Sequence, residues 1–171
     1  MKRLMLTLLL LFGGLLGTAA NSALAGRWAE VTDLALPGVL YSHATQSSSG
    51  TMTLTTENDR DTGFSVTILA SNFAYSGPNA GSPIPAANFS ITSAGVPVRI
   101  TGQAVDATGG PKVPATNATG ALNVARKTIQ ANPGFGVGVY TQALAVTLSI
   151  PAQTRAGTYT STLTTTYSEA P

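Results

Sequence analysis

The chain has no cysteine, one histidine and one tryptophan, and only 9% of its residues are charged. Without cysteine there is no disulfide, no thiolate nucleophile and no acceptor for a lipid anchor of the lipoprotein type. Stability must then come from an apolar core and a β ladder. The lone histidine, His43, lies among Ser42, Ser47, Ser48 and Ser49 in a stretch that reads as an exposed loop. A serine triad needs a base held by a partner acid, and no matching acid or nucleophile-elbow motif accompanies it. One histidine and no cysteine also argue against zinc.

Helical periodicity is missing as well. Proline and glycine recur too often, and β-branched residues fill the intervals. The clearest strand is Gln142 to Ile150. Leu144, Val146, Leu148 and Ile150 alternate with small or polar residues, and Pro151 stops the run. Thr158 to Ser168 reads as a last strand, with Tyr159, Leu163 and Tyr167 on one face and threonines on the other. The short connection between the two predicts a hairpin. Thr51 to Thr56 and Gly63 to Ala70 form a similar pair around the polar turn Asn58 to Gly63. Trp28 to Leu36, Asn88 to Thr92, Val96 to Thr101 and Ala121 to Ile129 are shorter strands. Tyr75 to Ala87 reads as a surface loop and Val105 to Gly120 as a mobile one. Many short strands between turn signals predict an all-β, antiparallel sandwich, Ig-like or a related Greek key, with long Pro/Gly-rich loops.

The N-terminus has the three parts of a secretory signal peptide. Met1-Lys2-Arg3 is the positive region, Leu4 to Leu16 the apolar run, and Ala23-Leu24-Ala25 the cleavage site, with a cut after Ala20 as the nearby alternative. The run is shorter than the ~20 residues of a spanning helix. Residues 1–25 are therefore expected to be removed, leaving residues 26–171 as one domain with no transmembrane segment. Of nine basic residues Lys2 and Arg3 would go, leaving seven against seven acidic ones. A neutral product gives no electrostatic reason to bind nucleic acid or anionic lipid.

No constellation of catalytic side chains stands out. Asp59-x-Asp61-x-Gly63, preceded by Glu57, resembles part of a calcium loop. The glycine is out of register, however, and no glutamate closes a set of about six to eight oxygens. No two acids are set apart as a glycosidase pair. Asn88-Phe89-Ser90 and Asn117-Ala118-Thr119 match the glycosylation acceptor pattern, which arises often by chance in an Asn/Thr-rich chain. No cofactor and no metal site is expected.

Two stretches carry a family resemblance. Leu54 to Val66 leads from a strand through an acidic, glycine-containing turn into Gly63-Phe64-Ser65-Val66. Ala70-Ser71-Asn72-Phe73 and Ile84 to Phe89 continue it. Leu148 to Pro171 runs through Pro151 and Gly157-Thr158-Tyr159 to Thr165-Thr166-Tyr167 and an acidic-Ala-Pro ending. Together they resemble the WxL domain, a bacterial cell-surface module. Phe64 and Val66 occupy the first Trp-x-Leu position, and Thr165 and Tyr167 the second, so neither signature tryptophan is present. The resemblance implies a secreted or cell-surface bacterial protein that binds cell-wall glycan or sister surface proteins without catalysis. Attachment would be non-covalent. Phe64, Val66, Thr165, Tyr167 and Trp28 are the expected binding residues, with Tyr140 a further exposed aromatic. Core lining is the competing role for the Phe64 and Val66 pair. Two other functions remain open: a structural subunit that self-associates through strand edges, as fimbrial or coat proteins do, and an exported hydrolase.

Overall fold

The structure, a computed structural model, describes residues 26–169 and the backbone of Leu8–Leu9. The other residues of the expected signal peptide lie outside the described residues. The described chain is an all-β sandwich. In order, its strands are β1 (Leu8–Leu9), β2 (Trp28–Val31), β3 (Ala35–Leu36), β4 (Gln46–Asn58), β5 (Phe64–Ala70), β6 (Ala74–Ser76), β7 (Phe89–Ala94), β8 (Val98–Gly102), β9 (Gly120–Ala121), β10 (Arg126–Ala131), β11 (Gly138–Ile150), β12 (Thr158–Thr160) and β13 (Leu163–Glu169). A single 3-10 turn, Ala86–Asn88, precedes β7. No helix among the described residues is long and apolar enough to cross a membrane.

The larger sheet has the order β2-β4-β11-β7-β9, with β8 beside β11 on the same side as β7. Its spine is the antiparallel pairing of β4 with β11, unbroken from Asn58↔Gly138 to Gln46↔Ile150. Both strands alternate strictly. Met52 and Leu54 point inward from β4, and Tyr140, Leu144, Val146, Leu148 and Ile150 from β11; all are buried. Side chains two apart share a face, so the intervening Ser and Thr residues must lie on the outside.

The opposing layer is built from β10-β5-β13 and, beyond a kink, from β12 and β6. The kink is shared. Ser71 N–H donates to the Thr162 carbonyl at 2.9 Å, Thr162 N–H to Ser71 Oγ at 2.9 Å, and Ser161 Oγ to the Ser71 carbonyl at 2.7 Å. Thus β5 and β6 bend at the same point as β13 and β12. The expected last strand from Thr158 is present in two halves. β1 lies between β3, to which it is antiparallel, and β12, to which it is parallel.

Both expected hairpins are absent, for one reason. β11 is flanked by β4 on one side and by β7 and β8 on the other, so no edge is left for the last strand. The chain after Pro151 crosses to the other layer, where β13 pairs with β5. Likewise β4 is flanked by β2 and β11, and β5 must cross. The polar turn from Asn58 to Gly63 is therefore an arch between layers. Gly63 closes it at φ 77°, where an added Cβ would lie 2.7 Å from the Ala131 carbonyl oxygen. Only glycine tolerates both that dihedral and that approach.

Buried Asn58 ties the arch to its surroundings. Its Nδ2 donates to the carbonyls of Arg60 at 2.6 Å and Gly136 at 3.0 Å, and its Oδ1 accepts from Arg60 N–H at 3.2 Å and Tyr167 O–H at 2.9 Å. A buried amide needs such partners, because an unmade bond costs more than a made one gains.

The long segment after β8 is a loop, but a packed one. Asp106 and Gly110 bridge, Lys112 bridges to Gln130 of β10, and Gly109, Gly110, Pro111 and Pro114 are buried. The N–H groups of Gly109 and Thr108 bond the Asp106 carboxylate and hold its pKa below the usual value. The expected surface loop from Tyr75 likewise contains β6 and a Phe73↔Ile84 bridge, with Ile84 buried. Edge-to-face packing of Phe73 on Phe89, centroids 5.4 Å apart, joins this segment to the core.

Candidate functional site

Strand parity decides which of the expected binding residues can meet a ligand. Phe64 and Val66 begin β5 on its inward face and have 0% exposure. They line the core, so neither reaches the surface. Tyr140 is inward too, with its hydroxyl donating to the carbonyls of Gln103 at 2.9 Å and Val137 at 3.1 Å. Burial raises its pKa. Its expected exposure is corrected by the pleat: Tyr140 is in phase with Leu144 and Val146.

Tyr167 lies directly opposite Val66 in the β13–β5 ladder, and Thr165 opposite Ile68. The two signature-like stretches therefore meet on neighbouring strands. Tyr167 is half-buried and stacks on Phe64, with ring centroids 5.6 Å apart and planes 13° apart. Burial pushes its phenol up to about 12. The Thr165 hydroxyl donates to the Ala29 carbonyl at 2.8 Å and so joins β13 to β2. These residues hold the layers together at the edge where β2 begins.

Trp28 is the member of the set that faces outward, 37% exposed. It pairs across the ladder with Glu57, whose carboxylate accepts the indole N–H at 2.9 Å. That bond fixes the ring while leaving part of its face to solvent. Nearby, Arg27 pairs with Asp59 at 3.5 Å and with Glu169. His43 stands apart from this group, exposed, with Tyr41 edge-on at 5.3 Å.

From Trp28 the outer face of the large sheet runs away as a hydroxyl ladder. β4 presents Ser47, Ser49, Thr51, Thr53 and Thr55. β11 presents Ser149, Thr147, Ala145, Ala143 and Thr141 directly opposite them, in that order. Ser49 and Thr147 hydroxyls are 2.8 Å apart. The pleat sets these side chains about 6.6 Å apart along each strand and about 4.8 Å between strands. None of the ten is charged; charge enters only at the Trp28 end, with Glu30 and Glu57. The result is a neutral, hydroxyl-rich face with a partly exposed aromatic ring at one rim.

This face was not among the expected sites, although its signal was in the sequence. Ser or Thr stands at every second position from Ser47 to Thr55, the complement of buried Met52 and Leu54.

The open clefts carry different chemistry. One of about 420 Å³ lies between residues 80–84 and 151–155, and one of about 360 Å³ between residues 114–117 and β10. Neither is lined by a carboxylate. Among the described residues no group of three metal-ligating side chains converges. Comparison of the chain with protein-family models, curated proteins and solved structures found no match.

Proposed function

We infer that this is an exported, non-catalytic module of the bacterial cell surface that docks cell-wall glycan on the Ser/Thr face, with a sugar ring stacked on Trp28. The observation that carries this reading is the position of Trp28. It is the sole tryptophan, partly exposed, fixed by Glu57 and continuous with a neutral hydroxyl ladder. A pyranose ring has an apolar C–H face and an equatorial rim of hydroxyls. The first suits an indole, and the second suits an array of alcohols that both donate and accept. A neutral face also avoids the desolvation cost that charged side chains impose on an uncharged ligand.

The leader-like N-terminus supports the export part of this reading, and the WxL resemblance supports the cell-wall part. In this reading the resemblance describes the scaffold: its signature positions brace the arch and the last strand, and ligand contact lies on the outer face. The test is retention on purified peptidoglycan. The exported protein is expected to be retained, and Trp28→Ala to weaken retention by roughly tenfold. Retention no greater than that of an unrelated exported β-sandwich would end the proposal.

A further inference from the structure

We propose that β8 is a self-complementary edge through which two copies of this chain pair into a weak, closed dimer. β8 bonds to β11 on one side only, and all five of its residues are exposed. No described strand covers its other side. Such an edge offers unpaired N–H and C=O groups to another strand. The apolar side chains on and before it are also unusually open: Val96 is 74%, Val98 59% and Ile100 57% exposed. The one charge that could guard the edge, Arg99, bends back to donate to the Gly102 carbonyl at 3.2 Å.

A second copy fits this edge better than a foreign strand does, because the sequence is complementary to itself. Antiparallel pairing centred on Val98 sets Val98 against Val98, Val96 against Ile100, and Arg99 against Pro97. Apolar residues then meet apolar residues, and no two arginines are opposed. The expected exported chain is neutral, so no long-range repulsion resists the approach.

The same features limit the contact. Pro97 lacks an N–H, and the ladder with β11 shifts register between Val139 and Tyr140, opposite Arg99 to Thr101. A bulge of this kind twists the edge and keeps the pairing short. The buried area falls below the ~1,200 Å² of a stable interface. The dimer should therefore fill at roughly 0.1–1 mM chain and be absent near 1 μM. Because the contact is two-fold, one pairing uses up both edges and growth stops at two. β2 and β8 are opposite edges of the sheet, so the dimer joins two hydroxyl faces and leaves each Trp28 at an outer rim. The inference rests on β8 alone and does not need the glycan reading.

The absence of cysteine makes the test direct. The full chain is expressed in a secreting bacterial host and purified as the host delivers it. Sedimentation velocity across the concentration range should show the mass rising toward twice the monomer, and Val98→Lys should remain monomeric. Under mild oxidation Val98→Cys should form a covalent dimer at least roughly tenfold faster than Val124→Cys, an exposed control elsewhere. A wild-type monomer at about 1 mM, assembly that continues beyond two, or equal rates for the two cysteines would each overturn the proposal. Val98 is mostly exposed, so both variants should fold, which their thermal melts would verify.

Discussion

Trp28 and Phe64 both stand at the first residue of a strand, and they end in opposite environments. Phe64 is sealed between layers beneath Tyr167. Trp28 faces out beside Glu57. Residue type does not separate them. Their phase relative to the core does. Phe64 is in step with Val66, Ile68 and Ala70, all buried, whereas Trp28 is out of step with buried Val31. A one-residue shift of either strand would turn its own aromatic residue to the opposite face. In this fold the residues at the signature-like positions therefore stabilise, and the proposed contact surface lies on the alternate set.

That contrast can be broken at several points. Phe64→Ala should have the largest effect, a loss of about 3–5 kcal/mol, since it empties a fully buried aromatic site. Urea unfolding reads it directly, and peptidoglycan retention should fall only as far as the protein unfolds. Asn58→Ala should follow, costing roughly 2–4 kcal/mol, because it strands the Tyr167 hydroxyl and the carbonyls of Arg60 in the arch and Gly136 before β11. Tyr167→Phe should cost less, about 0.5–1.5 kcal/mol.

Tyr167 also predicts a pH effect of definite sign. Its phenol is ordinarily near 10.0 and is pushed up to about 12 in the folded chain, chiefly by burial. The unfolded chain therefore loses this proton first as pH rises, so stability falls with pH. The contribution is whole below about pH 10 and is lost as pH climbs through about 12. Denaturation midpoints measured across that window should decline for the wild type and decline less for Tyr167→Phe.

Changes on the outer face should show the reverse pattern. Trp28→Ala and Thr53→Lys should each alter stability by about 0.5 kcal/mol or less, as surface substitutions do, while lowering glycan retention. Arg27→Ala should be comparably small in a urea-unfolding comparison, because partly exposed ion pairs such as those to Asp59 and Glu169 contribute about 0–1 kcal/mol. If Thr53→Lys left retention untouched, the hydroxyl ladder would be excluded from the contact and Trp28 would stand alone.

Much of this was legible before the fold was known. The alternation from Leu144 to Ile150 and the stop at Pro151 are local patterns that the pleat enforces, whereas Phe64 and Val66, expected at a binding surface with core lining as the competing role, are buried. Which strands pair was not legible. The short turns after Asn58 and Ile150 look like hairpin loops, yet both strands they leave already have two neighbours. Edge occupancy is a property of the whole sheet and leaves no mark in a short turn. The packed loop around Pro111 was hidden for a similar reason, since its bonds reach Gln130, far along the chain. The site was legible in part. Trp28 was named, but its outward phase had no anchor until β2 was seen beside β4. The Ser/Thr series from Ser47 to Thr55 is visible in the sequence, but nothing local marks it as a contact face.

The central claim is that Trp28 touches the ligand. As the chain's sole tryptophan it reports on itself. Titrating the protein with soluble peptidoglycan glycan fragments while following intrinsic fluorescence should give a saturable shift to shorter wavelength, as the partly exposed indole leaves water. An emission spectrum unchanged through saturating fragment, under conditions where the protein is retained on peptidoglycan, would place binding elsewhere and contradict the account.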